Sequence, residues 1–334
     1  MRSWKPIALS LLLFPLSTLS LSAAACDPNK LDLSQTEAES ILPTVIYYET
    51  SSKNGAGYGK ITPDFDGQGL SAGQAQWNIG KGSLQGLVRD IIAQDVANAE
   101  EILGPFYVSV VDGFRYRPDN QEQLAWIREY QDISGTGGNR QASWKKGEGE
   151  DLARRLSLLM ESPAGRAAQD AKMLAKAEMA LDCALAWWFP KTPTMREVAV
   201  FIDALTFHGD QPGAYWQRVA SREKVEKFIA NAGGDKPAFN AVISYLENDL
   251  PWQQRASSSA RESAVLWKTM YADGLVDGDS VRMLVFGYLI ADAINKRTAR
   301  QFKYLTITRK GTLALNKGYV YGTPPAKPLS FNGL

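Results

Sequence analysis

Two carboxylates stand out by their setting. Glu49 follows the apolar and aromatic run Val45-Ile46-Tyr47-Tyr48, and Asp66 sits in the polar turn Asp64-Phe65-Asp66-Gly67-Gln68-Gly69. A carboxylic acid held against an apolar wall has its pKa raised and can donate a proton at neutral pH. A carboxylate in a solvated, glycine-rich turn stays ionised and can accept one. Glycoside hydrolysis needs such a pair: an acid protonates the leaving oxygen, and a base activates water or attacks directly. By type and position alone, the two are equally what a helix-surface glutamate and a turn aspartate look like, and both readings stand at this level.

Other chemistries fit less well. The chain has one histidine, His208, and two cysteines, Cys26 and Cys183, which excludes a His/Cys metal cluster. No calcium-loop pattern supports an all-carboxylate site. A Ser-His-Asp triad would have to use His208, and no Gly-x-Ser-x-Gly elbow supplies its nucleophile. Gly55-Ala56-Gly57-Tyr58-Gly59-Lys60 has neither the spacing of a phosphate loop nor a strand before it and a helix after it. No cofactor is implied.

The elements that must position these residues read mostly as helix. Ser34-x-x-Glu37 has the form of a capping box, opening a helix that runs towards Glu49 with Ile41, Val45 and Tyr48 at helical spacing and Pro43 inside it. Residues 51–73 change character. They are rich in Gly, Ser, Asp and Lys, and they predict short strands around Asp66, such as Tyr58–Ile61 and Gly69–Gly73. Helices are then predicted over 83–103, 121–131, 150–160, 163–189, 194–207, 214–231, 236–248, 258–273 and 279–295. The polar, glycine-rich stretch 134–149 reads as an exposed connector between lobes or a lip of the cleft. From Gly311 onward, with Pro324, Pro325 and Pro328, the tail reads as an irregular strap.

The amino terminus has Arg2 and Lys5, an apolar run from Pro6 to about Leu21, and Ser22-Ala23-Ala24-Ala25. That is the pattern of a signal peptide over 1–25, so the expected location is periplasmic or secreted. Cys26 would then be either a lipidated first residue or the disulfide partner of Cys183. The remainder, 26–334, is long enough for one well-buried domain of two lobes. With 37 basic and 36 acidic residues overall, no basic excess argues for nucleic acid, and no later segment is apolar enough to span a bilayer. A monomer is expected. Nine Trp and thirteen Tyr could stack on sugars, although aromatic residues more often fill cores.

The stretch Glu49-Thr50-Ser51 … Tyr58-Gly59-Lys60-Ile61 … Asp66-Gly67-Gln68-Gly69-Leu70-Ser71-x-Gly73 resembles the active-site segment of the glycoside hydrolase family 46 chitosanases. There a helix-end glutamate is followed, after a short strand, by an aspartate in an Asp-Gly-x-Gly-x-Thr turn. The resemblance implies a mainly α (α+β), lysozyme-like fold: two helical lobes with a small antiparallel β-sheet at the cleft. It implies an inverting hydrolase of β-1,4-linked amino-sugar polymers such as chitosan, with Glu49 as acid, Asp66 as base and Ser71 helping to hold the attacking water. Arg166-Ala167-Ala168-Gln169-Asp170 and Phe201-Ile202-Asp203-Ala204-Leu205-Thr206-Phe207-His208-Gly209 are also similar to segments of that family. They imply that Asp203, with Arg282 as its partner, joins a charge network behind the acid, and that His208 is a hydrogen-bonded residue at a helix end.

One departure bears on substrate. Gln74-Ala75-Gln76-Trp77-Asn78 replaces the family's apolar stretch and resembles the polar strand of cell-wall muramidases and transglycosylases. Gln74, Gln76 and Asn78 are therefore candidate ligands for N-acetyl groups, unless they belong to a half-exposed strand of alternating polarity. Peptidoglycan cleavage, hydrolytic or by transglycosylation, remains an alternative to chitosan hydrolysis. A non-catalytic glycan-binding envelope protein is the reading from another class.

Overall fold

A computed structural model gives the fold and describes residues 41–46, 57–115, 119–136, 140–210, 213–248, 255–294 and 300–320. Glu49, Cys26 and the signal-peptide stretch lie outside the described residues. Residues 41–46 are helical (α1). Three short strands follow: β1 (Ile61–Pro63), β2 (Leu70–Ala72) and β3 (Trp77–Asn78). Next come α2 (Ser83–Gln94), α3 (Val96–Leu103), α4 (Tyr107–Gly113) and α5 (Gln121–Arg128), then the hairpin β4 (Gln131–Ser134) and β5 (Gln141–Trp144), and α6 (Glu148–Glu161). The second half is helical: α7 (Pro163–Trp188), α8 (Met195–His208), α9 (Tyr215–Val219), α10 (Arg222–Ala232), α11 (Asp235–Asn248), α12 (Arg255–Ala272), α13 (Gly278–Asp292) and α14 (Arg300–Leu315).

The apolar residues separate into two cores. One gathers Leu70, Ile79, Leu87, Phe114, Leu124 and Leu156 from the strands and α2 to α6. The other gathers Phe201, Trp216, Phe239, Trp267, Phe286 and Ile307 from α8 to α14. The chain is therefore mainly helical, with two helical lobes and small antiparallel sheets, as expected. Two helices belong to both lobes. In α1, Ile41 and Val45, one turn apart, enter the second core, while Ile46 enters the first. In α7, Ala168 and Met173 pack in the first core, and Ala177, Ala180, Ala184 and Trp187 in the second. These alanines recur at helical spacing and let α8 approach closely. Ser162 caps α7 by accepting from the Gly165 amide (3.0 Å), and Pro163 occupies the first turn, where no amide donor is needed.

Several expectations are corrected. Residues 134–149 do not join the lobes. Gly135 (φ +71°) turns the chain back, and β5 returns on β4 with Gln131 opposite Trp144 and Ser134 opposite Gln141. A polar strand pair with a glycine turn shares a linker's composition, and only the pairing separates the two. The predicted helix 83–103 is broken at Asp95, whose side chain accepts from the Asn98 amide and starts α3 anew. The predicted helix 214–231 is likewise broken before Ser221, which caps α10. Residues 311–315 are not a strap but the end of α14. Gly311 is in that helix because a side chain there would meet the Trp267 ring at 2.3 Å. Helices α4 and α14 lie where the sequence pattern predicts none.

Cys183, on α7, is disulfide-bonded, and the sequence has one other cysteine, Cys26. Among the described residues, no helix is long and apolar enough to cross a membrane.

Candidate functional site

The turn that carries Asp66 closes the β1–β2 hairpin. Pro63 pairs with Leu70 and Thr62 with Ser71, leaving 64–69 as the loop. Gly67 (φ +90°) and Gly69 (φ +85°) take backbone angles that side chains rarely adopt. At Gly69 the space is closed as well, since a Cβ there would lie 2.6 Å from Leu124. The Gln68 amide donates to Asp66 Oδ1 (3.0 Å), which folds the loop on itself.

Asp64 anchors this loop to the lobe. Its carboxylate is buried and accepts from Arg128 Nε (2.8 Å) and from Arg140 Nη1. Arg128 also donates to the Gly67 carbonyl (3.2 Å). The buried Gln131 amide completes the clamp, accepting from the Asp64 amide (2.8 Å) and donating to the Gly69 carbonyl (3.0 Å). Burial pushes the Asp64 pKa up, but the Gly69 amide and the Arg128 guanidinium outweigh it, and the net shift is downward. Asp66 shifts the other way. Its side chain reaches solvent, yet crowding by surrounding protein raises its pKa, the Asp64 charge adds to the rise, and the Gln68 amide and Lys81 oppose it.

A groove of about 430 Å³ opens between the lobes beside this sheet. Its walls are the β3 segment with Gln76, Asn78 and Lys81, the middle of α7 with Lys172 and Lys176, and the end of α8 with Thr206 and Asp210. Lys176 pairs with Asp210 (3.1 Å), and Lys172 pairs with Asp90 (2.9 Å).

Of the candidate ligand residues, Gln76 and Asn78 face this groove, but both amides have structural partners. Gln76 (φ +47°) accepts from the Thr62 hydroxyl (2.7 Å) and donates to the Gly73 carbonyl (3.0 Å). Asn78 Oδ1 accepts from the Lys81 amide (2.8 Å). Gln74 is not brought to the groove. It is 2% exposed and tied to α7, its amide donating to Gln169 Oε1 (3.0 Å) and its side chain to Asp170 Oδ1 (3.2 Å). The physical reason is the turn at Gly73 and Gln76, which breaks the alternation a straight strand would have kept. Ser71 is buried in the middle strand, opposite Thr62 and Asn78. The Arg166–Asp170 helix segment meets Tyr58, whose hydroxyl donates to Asp170 Oδ1 (2.7 Å) beneath the Arg166 guanidinium.

Asp203 is fully buried in the second lobe, and its partners are Arg309 and Lys310. Arg309 donates to Oδ1 from Nε (2.8 Å) and Nη2 (2.5 Å), and Lys310 Nζ donates to Oδ2 (2.7 Å). Burial opposes ionisation of Asp203, but the two cations outweigh it and its pKa falls. Arg282 is not the partner. It lies on α13, pairs with Glu226 (2.8 Å) and faces Asp235. Consecutive cations on α14 reach Asp203 because Gly287 lets α13 and α14 close together, a Cβ there lying 2.9 Å from that of Lys310.

His208 ends α8 as expected. Its Nδ1 hydrogen-bonds the Tyr215 hydroxyl (2.7 Å), and its Nε2 lies 3.4 Å from Thr306 Oγ1. Desolvation first, then the charges of Lys310 and Arg309, drive its pKa well below the usual histidine value. Burial pushes Tyr215 up to about 12, so both groups are neutral at physiological pH.

No protein-family model and no curated protein matches the chain. Among solved structures, one described as a chitosanase complex is similar, with a TM-score of 0.39 and 19% sequence identity over 88% of this chain and 98% of that one.

Proposed function

We propose that the chain is a glycoside hydrolase of β-1,4-linked amino-sugar polymers, with Glu49 as general acid and Asp66 as general base of an inverting reaction. The observation that carries the reading is the Asp66 turn: a solvent-reaching carboxylate, raised in pKa, on a clamped glycine loop that feels the charge of Lys81, a residue of the inter-lobe groove wall. A base is most effective when its pKa moves towards the working pH, and a clamped loop keeps it in place. Inversion requires the two carboxyls to stand about 6.5–9.5 Å apart, with a water between them. The sequence resemblance gives Asp203 a supporting role for the acid, and its partners in this chain are Arg309 and Lys310.

The test is hydrolysis of soluble chitosan and of purified cell-wall glycan by the wild-type chain and two variants. Glu49→Gln and Asp66→Asn should each lose on the order of 10²–10⁴-fold in rate while the circular dichroism spectrum is unchanged. Full activity in Glu49→Gln overturns the reading. Activity that survives Asp66→Asn but not Glu49→Gln replaces it with a transglycosylase using one acid/base group, and saccharide binding without cleavage at any pH replaces it with a binding protein.

A further inference from the structure

A β-linked sugar carries axial C–H bonds on its two faces, and a flat aromatic ring can cover such a face. The tryptophans do not supply that ring. Among the described residues, Trp77, Trp187, Trp188, Trp216 and Trp267 are buried, and Trp126 and Trp144 pack on the first core. Two Phe or Trp side chains are exposed in that set, Phe65 and Phe189. Phe189 follows the end of α7, ten residues or about 15 Å past Met179, the last residue of that helix on the groove wall. Phe65 is the chain neighbour of Asp66.

A single exposed apolar side chain is ordinary on a protein surface. What sets Phe65 apart is its backbone, which is fixed on both sides. Arg128, Arg140 and Gln131 clamp Asp64 before it, and the Gln68 amide ties Asp66 after it. The Phe65 amide itself donates to the Pro63 carbonyl (2.8 Å). The loop is also bonded to the segment that leads to Lys81 on the groove wall, the Gly80 amide donating to the Gln68 carbonyl (3.0 Å). Elsewhere in this lobe rings pack edge to face, Phe114 on Trp126 and Trp126 on Tyr130. The clamp holds the backbone of Phe65 and leaves its ring 45% exposed.

Covering an exposed ring releases the water against it, and the electron-rich face attracts the C–H bonds of a sugar. A backbone already fixed loses little freedom when the sugar arrives. Consecutive Cα atoms stand about 3.8 Å apart, so a ring at 65 and a carboxylate at 66 can meet adjoining sugars of one strand. We propose that Phe65 is a sugar-stacking residue, its ring taking the apolar face of the sugar next to the one at which Asp66 acts. This rests on the glycosidase reading of Asp66 and adds a binding residue to it. The nitrogen substituent of an amino sugar projects from the edge of the sugar and not from the stacked face. Phe65 therefore holds acetylated and deacetylated sugars alike.

The experiment uses the full chain carrying Asp66→Asn to stop turnover, titrated calorimetrically with a glucosamine oligomer and an N-acetylglucosamine oligomer of the same length. Adding Phe65→Ala should weaken, on the order of tenfold, each oligomer that binds. Phe65→Leu should lose as much, since it keeps an apolar side chain without a flat ring. Phe65→Trp should retain or exceed the starting affinity, which a merely structural role for the ring would not give. Unchanged affinity in Phe65→Ala or Phe65→Leu overturns this inference and leaves the glycosidase reading standing. So does a loss in Phe65→Trp equal to that in Phe65→Ala, or a loss for one oligomer alone where both bind. Binding of neither oligomer overturns both readings.

Discussion

Asp64 and Asp66 stand two residues apart on one loop and carry opposite pKa shifts. Asp64 is buried against Arg128 and Arg140 and shifts down, whereas Asp66 reaches solvent and shifts up, partly through the charge of Asp64 itself. One carboxylate holds the loop, and the other reaches solvent with its pKa raised.

Asp64→Asn should therefore move the pH dependence as well as the stability. Removing the neighbouring charge lowers the Asp66 pKa, so the acid-side limb of the pH–rate profile shifts to lower pH, and a carbon-13 titration of the Asp66 carboxyl shifts with it. The substitution also takes the counter-charge from two partly exposed arginines, at a cost of about 3 kcal/mol, the low end for a broken buried pair. In wild type, Asp64 has its pKa depressed, so its contribution is present above the unfolded aspartate value and is lost as pH falls through the lower native value.

Asp203→Asn should be more damaging. Arg309 and Lys310 are both 0% exposed, and Asp203 is the carboxylate they share. Loss of one partner in such a cluster costs about 3–5 kcal/mol, measured as a fall in the urea midpoint.

His208 is the only histidine, so its ring can be followed without ambiguity. Long-range proton–nitrogen spectra should show the ring still neutral below a pH of about 6.5, where a free histidine protonates. The lowered native pKa means that the unfolded chain binds a proton below about 6.5 while the native chain does not. Stability should fall by about 1.4 kcal/mol per pH unit below that point. His208→Gln should remove this pH dependence.

Gly73→Ala should lose about 1–3 kcal/mol, the cost of holding a side chain in the left-handed region. The added methyl would also stand 2.4 Å from Gln169 Oε1, which accepts the Gln74 amide. A thermal melt checks the loss. A Gly67→Ala control, where nothing lies within 4 Å of the added atom, should lose only the backbone contribution.

Local pattern made much of the fold legible. The helices over 163–189, 194–207 and 279–295 and the glycine-rich turn at Asp66 are all properties of a few neighbouring residues. Features that depend on partners far along the chain were hidden. Arg128 and Arg140 lie 64 and 76 residues from Asp64, and Arg309 lies 106 residues from Asp203, so no short spacing marks either cluster. The sequence resemblance pointed to Asp203 but not to its partners, and Arg282 is drawn instead to Glu226. Gln74 leaves the polar face because the turn at Gly73 and the left-handed Gln76 redirects the strand, and the Gln74 side chain is tied to α7. The lysines of the groove come from β3–α2 and α7, and only the packing of the lobes gathers them.

The helix α7 gives the molecule a mechanical character. At 26 residues it is a rod of about 39 Å, and its two halves are embedded in different cores. Neither lobe can melt without stripping one end of this rod of its packing, so calorimetry should find one melting endotherm. The same stiffness limits how a polymer can enter. A hinge would have to bend the rod, so the gap between the lobes should stay nearly constant in width, with strands threading through it lengthwise.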